Sequence, residues 1–118
     1  MTDTAYKLVD RREWDAARAS GAYHGSAVDR ADGYIHMSTA AQLAETARRH
    51  YAGLGSLMLV EVSLTALGEA LHWEPSRGGD LFPHLYGPLP VTAVRSERTL
   101  AVREDGAMIF DDGATGWP

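Results

Sequence analysis

The run Leu57-Met58-Leu59-Val60-Glu61-Val62-Ser63-Leu64 carries apolar side chains at both odd and even positions. A strand of that kind meets water on neither face, so it belongs inside a sheet, with partners on both edges and chain packed above and below. Elsewhere only two segments show a clear helical period. The expected architecture is therefore α+β: a single domain with a mixed or antiparallel sheet and two principal helices.

Around this centre the remaining elements are read from caps and breakers. Residues 5–9 form a first strand, and Asp10 with Glu13 marks the start of a helix over Arg11–Ser20 that stops at Gly21. Trp14, Ala17 and Arg18 share its inner side, with Trp14 in the core and the arginine stem at the edge. Residues 23–33, rich in Gly and Asp, read as a loop that turns into a strand over 34–37. Thr39 and Gln42 then cap a second helix over 40–52, with Leu43, Ala47, His50 and Leu54 on one side and Arg48 and Arg49 toward water.

After the central strand come a turn over 65–70 and a short strand over 71–74. Residues 75–90 show no period and read as a long loop, stiffened by four prolines and long enough to suggest a function. Strand character resumes over 91–97, and 99–102 with 107–110 flank an Asp105-Gly106 hairpin turn. The core is expected over 5–110, with 111–118 a frayed tail unless Trp117 docks.

With 118 residues, one domain over 1–118 is the default. The 16 acidic and 11 basic residues give a formal charge of −5, which disfavours bulk nucleic-acid binding. The chain has no cysteine, which excludes disulfides, thiolate nucleophiles and sulfur-ligated metals. The N-terminus has no signal-like region and no apolar run approaches the roughly 20 residues that span a bilayer, so a cytoplasmic location without a membrane partner is expected. Oligomeric state is not encoded in any of these features.

The polar chemistry collects in two segments. His36 precedes Ser38, Thr39 and a helix N-terminus, a combination suited to an anion such as a phosphate; equally, His36 can be a satisfied core histidine and the hydroxyls mere caps. In the second segment Arg77-Gly78-Gly79 can bring a guanidinium and bare backbone to an anion. Trp73-Glu74 and His84-Leu85-Tyr86 add a carboxylate, an imidazole and flat aromatic surfaces suited to a heterocycle. Glu74 can steady positive charge on a sugar ring or pair with Arg77. Histidines 24, 36, 50, 72 and 84 lack short metal-ligand spacing, so no metal is expected. No Gly-x-Ser-x-Gly elbow supports a serine hydrolase.

Tyr6-Lys7, Trp14, Gly21-x-Tyr23-x-Gly25-Ser26-x-x-Asp29, residues 32–39 with Gln42, and Phe82-Pro83-His84-Leu85-Tyr86-Gly87 together resemble domain-of-unknown-function family 952, which is largely bacterial. The resemblance runs over about 6–94. It implies an ADP-ribosyltransferase-like fold, shared with RNA 2′-phosphotransferases, in which a bent, split sheet holds NAD or an ADP-ribosylated ligand in its cleft. It also implies His36 and Ser38 at the ligand, Tyr6 and Lys7 as cleft neighbours, and Tyr86 stacking on a base or nicotinamide. A secure oxocarbenium-stabilising glutamate is missing from the pattern; Glu74 and Glu97 are the candidates.

Together these features make the expected function that of a nucleotide-ligand enzyme, a transferase or glycohydrolase with NAD as a substrate rather than a bound cofactor. The candidate catalytic residues are His36 and Glu74. Tyr6, Lys7, Ser38, Thr39, Arg77, His84 and Tyr86 are the candidate ligand contacts. The alternative is a non-catalytic module that binds a small nucleotide or a partner.

Overall fold

The computed structural model describes residues 3–115 and 117 and, of Arg77, the backbone alone. In chain order the elements are β1 (Thr4–Asp10), α1 (Arg11–Ser20), β2 (Ala22–Tyr23), α2 (Ala27–Asp32), β3 (Ile35–His36) and α3 (Ala40–His50). They continue with β4 (Leu57–Ser63), β5 (Leu71–Pro75), β6 (Leu81–Leu85), β7 (Leu89–Pro90), β8 (Val94–Val102) and β9 (Met108–Phe110). Short 3₁₀ turns occupy Thr65–Ala70, Arg77–Gly79 and Val91–Ala93.

Among the described residues the strands form three sheets, of order β1-β4-β8-β9, β2-β7 and β3-β6-β5, and every pairing is antiparallel. The central-strand expectation holds: β4 lies between β1 and β8, with Val60 opposite Lys7 on one edge and Glu97 on the other. Its two faces feed two cores. Met58, Val60 and Val62 join Ala5, Val9 and the fully buried Trp14, whereas Leu57 and Leu59 join Leu8, Leu43, Ala47 and Phe110. The large sheet is thus covered by α1 on one side and α3 on the other. Burying a leucine such as Leu43 stabilises the fold by roughly 1.5–3 kcal/mol.

Helix α1 keeps its expected bounds because both ends are chemically defined. The Asp10 carboxylate accepts from the amides of Arg12 and Glu13, and Gly21 ends the helix in the left-handed region at φ 98°. Helix α3 starts as expected with a capping box between Thr39 and Gln42. It ends at His50 rather than at 52, however, and His50 and Leu54 are exposed instead of packed.

Four other readings are corrected. The loop over 23–33 contains α2, started by a capping box in which Ser26 and Asp29 bond each other's backbone and side chain. The aperiodic stretch 75–90 holds β6 and β7. Pro83 disguised β6, since proline in the middle strand of a small sheet argues against a strand; yet its carbonyl still accepts the Met37 amide at 3.1 Å. Finally, the strand expected over 34–37 is only Ile35–His36, and the strand expected from 91 begins at Val94.

A backbone bridge joins the large sheet to the chain that follows the β3-β6-β5 sheet's edge strand. Tyr6 N donates to Ser38 O at 2.8 Å and Ser38 N to Tyr6 O at 2.9 Å, which joins the edge strand β1 to the chain leaving β3. Trp117 packs edge-on against Tyr6, with ring centroids 5.0 Å apart, and its Nε1 donates to Ala40 O. Among the described residues no helix is long and apolar enough to cross a membrane.

Candidate functional site

A cavity of about 530 Å³ opens beside the Tyr6–Ser38 bridge, within the size range of small-ligand sites. Its lining draws on β1 (Tyr6, Lys7), α2 (Asp29, Asp32), β3 with the following residues (His36, Ser38), α3 (Thr46, His50) and β6 (Phe82, His84). Of the residues singled out from sequence, Tyr6, Lys7, His36, Ser38 and His84 therefore come together there.

At the heart of the wall is a carboxylate that sequence reasoning passed over. Asp29 is 2% exposed and Lys7 is 5% exposed, with Lys7 Nζ 3.1 Å from Asp29 Oδ2 and 3.2 Å from Oδ1. Asp29 also accepts from Ser26 N at 2.9 Å, His36 N at 3.1 Å and His36 Nδ1 at 2.6 Å. Desolvating two charges is offset only when such bonds complete their environment. Burial would push the Asp29 carboxyl up, but the bond from His36, the Lys7 ammonium and the two amides outweigh it and hold the carboxyl well below the usual range. Burial draws the Lys7 ammonium down against the pull of Asp29. With several donors around the carboxylate, we take the pair as ionised.

His36 is 32% exposed and held at both ring nitrogens. Opposite Asp29, its Nε2 lies 2.9 Å from Oδ2 of Asp32, itself 48% exposed and one helical turn before it in sequence. Carboxylates only accept, so this geometry fits an imidazolium that donates on both sides.

The small sheet adds a second histidine–carboxylate pair. His36 is directly opposite His84 on β6, and His84 is directly opposite His72 on β5, so three imidazoles share one level and one face. His84 is buried, and its Nδ1 lies 2.7 Å from Glu74 Oε1, which also accepts from Tyr86 OH at 2.8 Å. The bonds from His84 and then Tyr86 lower the Glu74 carboxyl, and the same contact raises the Tyr86 phenol. Tyr34 covers the pair: its ring is 4.6 Å from His36, 4.2 Å from His84 and stacked at 5.2 Å on Tyr86.

The remaining candidates separate. Thr39 is spent on the α3 cap and does not line the cavity, while Ser38 lines it and bonds Thr46 at 2.8 Å between hydroxyls. Glu74 and Tyr86 sit behind His84, outside the lining. The Arg77 side chain, and with it any Arg77–Glu74 pair, lies outside the described residues. Tyr51 closes the floor, donating to Leu8 O at 3.0 Å, and burial pushes its phenol up to about 12.

Asp29, Asp32, Tyr34, Thr46 and Phe82 were not read as site residues. For Asp29 a signal was present, since Ser26-x-x-Asp29 is a capping box. Among the described residues no group of three or more His, Cys, Asp or Glu is arranged to hold a metal ion.

Comparison with known proteins follows the same lines. The family described as "Protein of unknown function (DUF952)" matches residues 8–97. No curated protein matches the chain. The crystal structure of protein CC0527 from Caulobacter crescentus is 50% identical, with a TM-score of 0.85 over 89% of this chain and 92% of that one. The solution NMR structure of the same protein is 50% identical, with a TM-score of 0.76 over 87% and 89% of the two chains.

Proposed function

We propose, from the premise that this chain belongs to the DUF952 family, that its cavity binds a nucleotide-type ligand and acts on it as an enzyme. The candidate substrates are NAD, ADP-ribose or a phosphorylated nucleoside. One observation carries the reading: Tyr6, Lys7, His36, Ser38 and His84, far apart in sequence, line a single cavity of about 530 Å³. A core-histidine role alone leaves the cavity, the exposed Asp32 contact and the clustered rings without a purpose.

In this reading His36 Nε2 donates to a phosphate or ribose oxygen in exchange for Asp32, and the Ser38 hydroxyl offers a second polar contact. Tyr86 stacks on Tyr34 outside the cavity lining, so this reading does not give it the ring-stacking role. A cleft between two bridged antiparallel sheets also suits the ADP-ribosyltransferase-like relationship implied by the sequence. Fold likeness by itself assigns no reaction.

The test is calorimetric titration with NAD, ADP-ribose and adenosine 3′-monophosphate, with released nicotinamide followed in parallel. His36→Asn is the informative variant, because its amide can still donate to Asp29 where Nδ1 did while the Nε2 contact is lost. Saturable binding that weakens about tenfold or more in His36→Asn, the loss of one charge-assisted bond, is expected. Wild-type protein that binds none of the three ligands refutes the reading. Binding without turnover favours the second reading, a non-catalytic nucleotide-binding module in the same cavity.

A further inference from the structure

We propose, building on the nucleotide-cleft reading, that His84 and His36 act as proton acceptor and proton donor in hydrolysis of a nucleoside phosphodiester, such as a 2′,3′-cyclic phosphate. The two imidazoles face each other across adjacent strands with centroids 5.5 Å apart, and both line the cavity. Each is held at Nδ1 by a carboxylate, Asp29 at 2.6 Å and Glu74 at 2.7 Å. That contact fixes the proton on Nδ1 and leaves Nε2 as the nitrogen that works.

The surroundings set the two rings apart. His36 Nε2 faces the Asp32 carboxylate at 2.9 Å, so it carries a proton to give. For His84 the described carboxylate contact is at Nδ1 alone, which leaves Nε2 to accept. The charged and titratable groups facing His36 are Asp29 and Asp32 from α2, Lys7 through Asp29 from β1, His84 from β6, and Tyr34. Those facing His84 are Glu74 and His72 from β5, His36 from β3, and Tyr34.

In the step itself, water attacks phosphorus. An O–P bond forms as His84 Nε2 takes a water proton, the P–O bond to the ribose oxygen breaks, and His36 Nε2 gives that oxygen its proton. Water is added across one P–O bond, and proton exchange with solvent resets both rings. The leaving group decides between chemistries. Nicotinamide departs from NAD as a neutral base and needs no proton, whereas a ribose alkoxide is a poor leaving group and needs one in the transition state. Two proton-handling imidazoles are superfluous to the first reaction and required by the second.

The experiment compares turnover of adenosine 2′,3′-cyclic phosphate and thymidine 5′-(p-nitrophenyl) phosphate by wild type, His36→Asn, His84→Asn and Glu74→Gln, from about pH 5 to 9. Wild type should show a bell-shaped pH–rate profile on the cyclic nucleotide. His84→Asn should lower kcat on both substrates about a hundredfold or more. His36→Asn should do the same for the cyclic nucleotide but far less for the p-nitrophenyl ester, whose phenolate leaves unaided. Glu74→Gln, a change to a positioning residue, should lower kcat with KM unchanged and move the limb that reports the base. It also serves as the deciding variant if His84→Asn does not fold.

Cyclic-nucleotide turnover unchanged in His36→Asn or His84→Asn overturns the proposal, as does a Glu74→Gln profile identical to wild type. So does wild type that binds adenosine 3′-monophosphate by calorimetry yet hydrolyses neither ester, a result that leaves the cleft reading intact. Absence of both binding and turnover overturns the cleft reading as well.

Discussion

Replacing Asp29 with asparagine keeps the shape of the side chain and removes its charge. The amide oxygen can still accept from His36 at the Oδ1 position, but the amide nitrogen then faces the Ser26 N–H and the Lys7 ammonium, donor against donors. Lys7, 5% exposed, is left as a buried cation without its counter-charge. Removing one partner of such a pair costs about 3–5 kcal/mol, a large share of the roughly 5–15 kcal/mol that a domain has in total. At about 4 °C per kcal/mol, the melting temperature should fall by about 12–20 °C. Urea unfolding at neutral pH measures this directly. The double change Lys7→Met with Asp29→Asn should recover most of the loss, because the stranded charge is gone. The gap between wild type and Asp29→Asn should also depend on pH. A carboxyl depressed in the folded state stabilises fully above its unfolded value of about 4, and loses that contribution as pH falls below it. The gap therefore narrows in acid. An Asp29→Asn midpoint equal to that of wild type, or a double variant less stable than the single one, refutes the reasoning.

Two further changes probe the frame of the site. Gly25 has φ +102°, and a Cβ there would lie 2.8 Å from Asp29 Cβ; Gly25→Ala should cost about 1–3 kcal/mol in thermal or urea unfolding and weaken nucleotide binding by displacing Asp29. Thr39→Ala breaks the α3 capping box and should cost about 1 kcal/mol, with ligand affinity unchanged in calorimetry because Thr39 does not line the cavity.

The large sheet and its helices were legible in the sequence because each signal was local. The two-faced apolar run placed β4, Asp10 and Gly21 bounded α1, and Thr39 with Gln42 opened α3. In the small sheet β3 and β5 were legible and β6 was not, because Pro83 and the prolines around it mask a strand whose pairing is decided by distant partners. Site residues divide similarly. His36, Ser38 and His84 stood out by chemistry and by resemblance to the family, whereas Asp29 looked like one more loop aspartate. Only the fold reveals that Asp29 turns inward from α2 to meet a lysine 22 positions earlier in the chain. His36 is held by Asp29 and Asp32, but at 32% exposure it is not the core histidine that the sequence also allowed.

The Tyr6–Ser38 bridge carries a consequence for how this protein can fail. Lys7 belongs to the large sheet, while His36 and His84 belong to a small one whose β3 is only Ile35–His36. Opening that seam would separate Lys7 from His36 and His84 while β4 and β8 stayed paired. A variant can therefore look folded by its far-ultraviolet spectrum and still have no site. Amide exchange at Tyr6 and Ser38 would show the damage that bulk melting conceals.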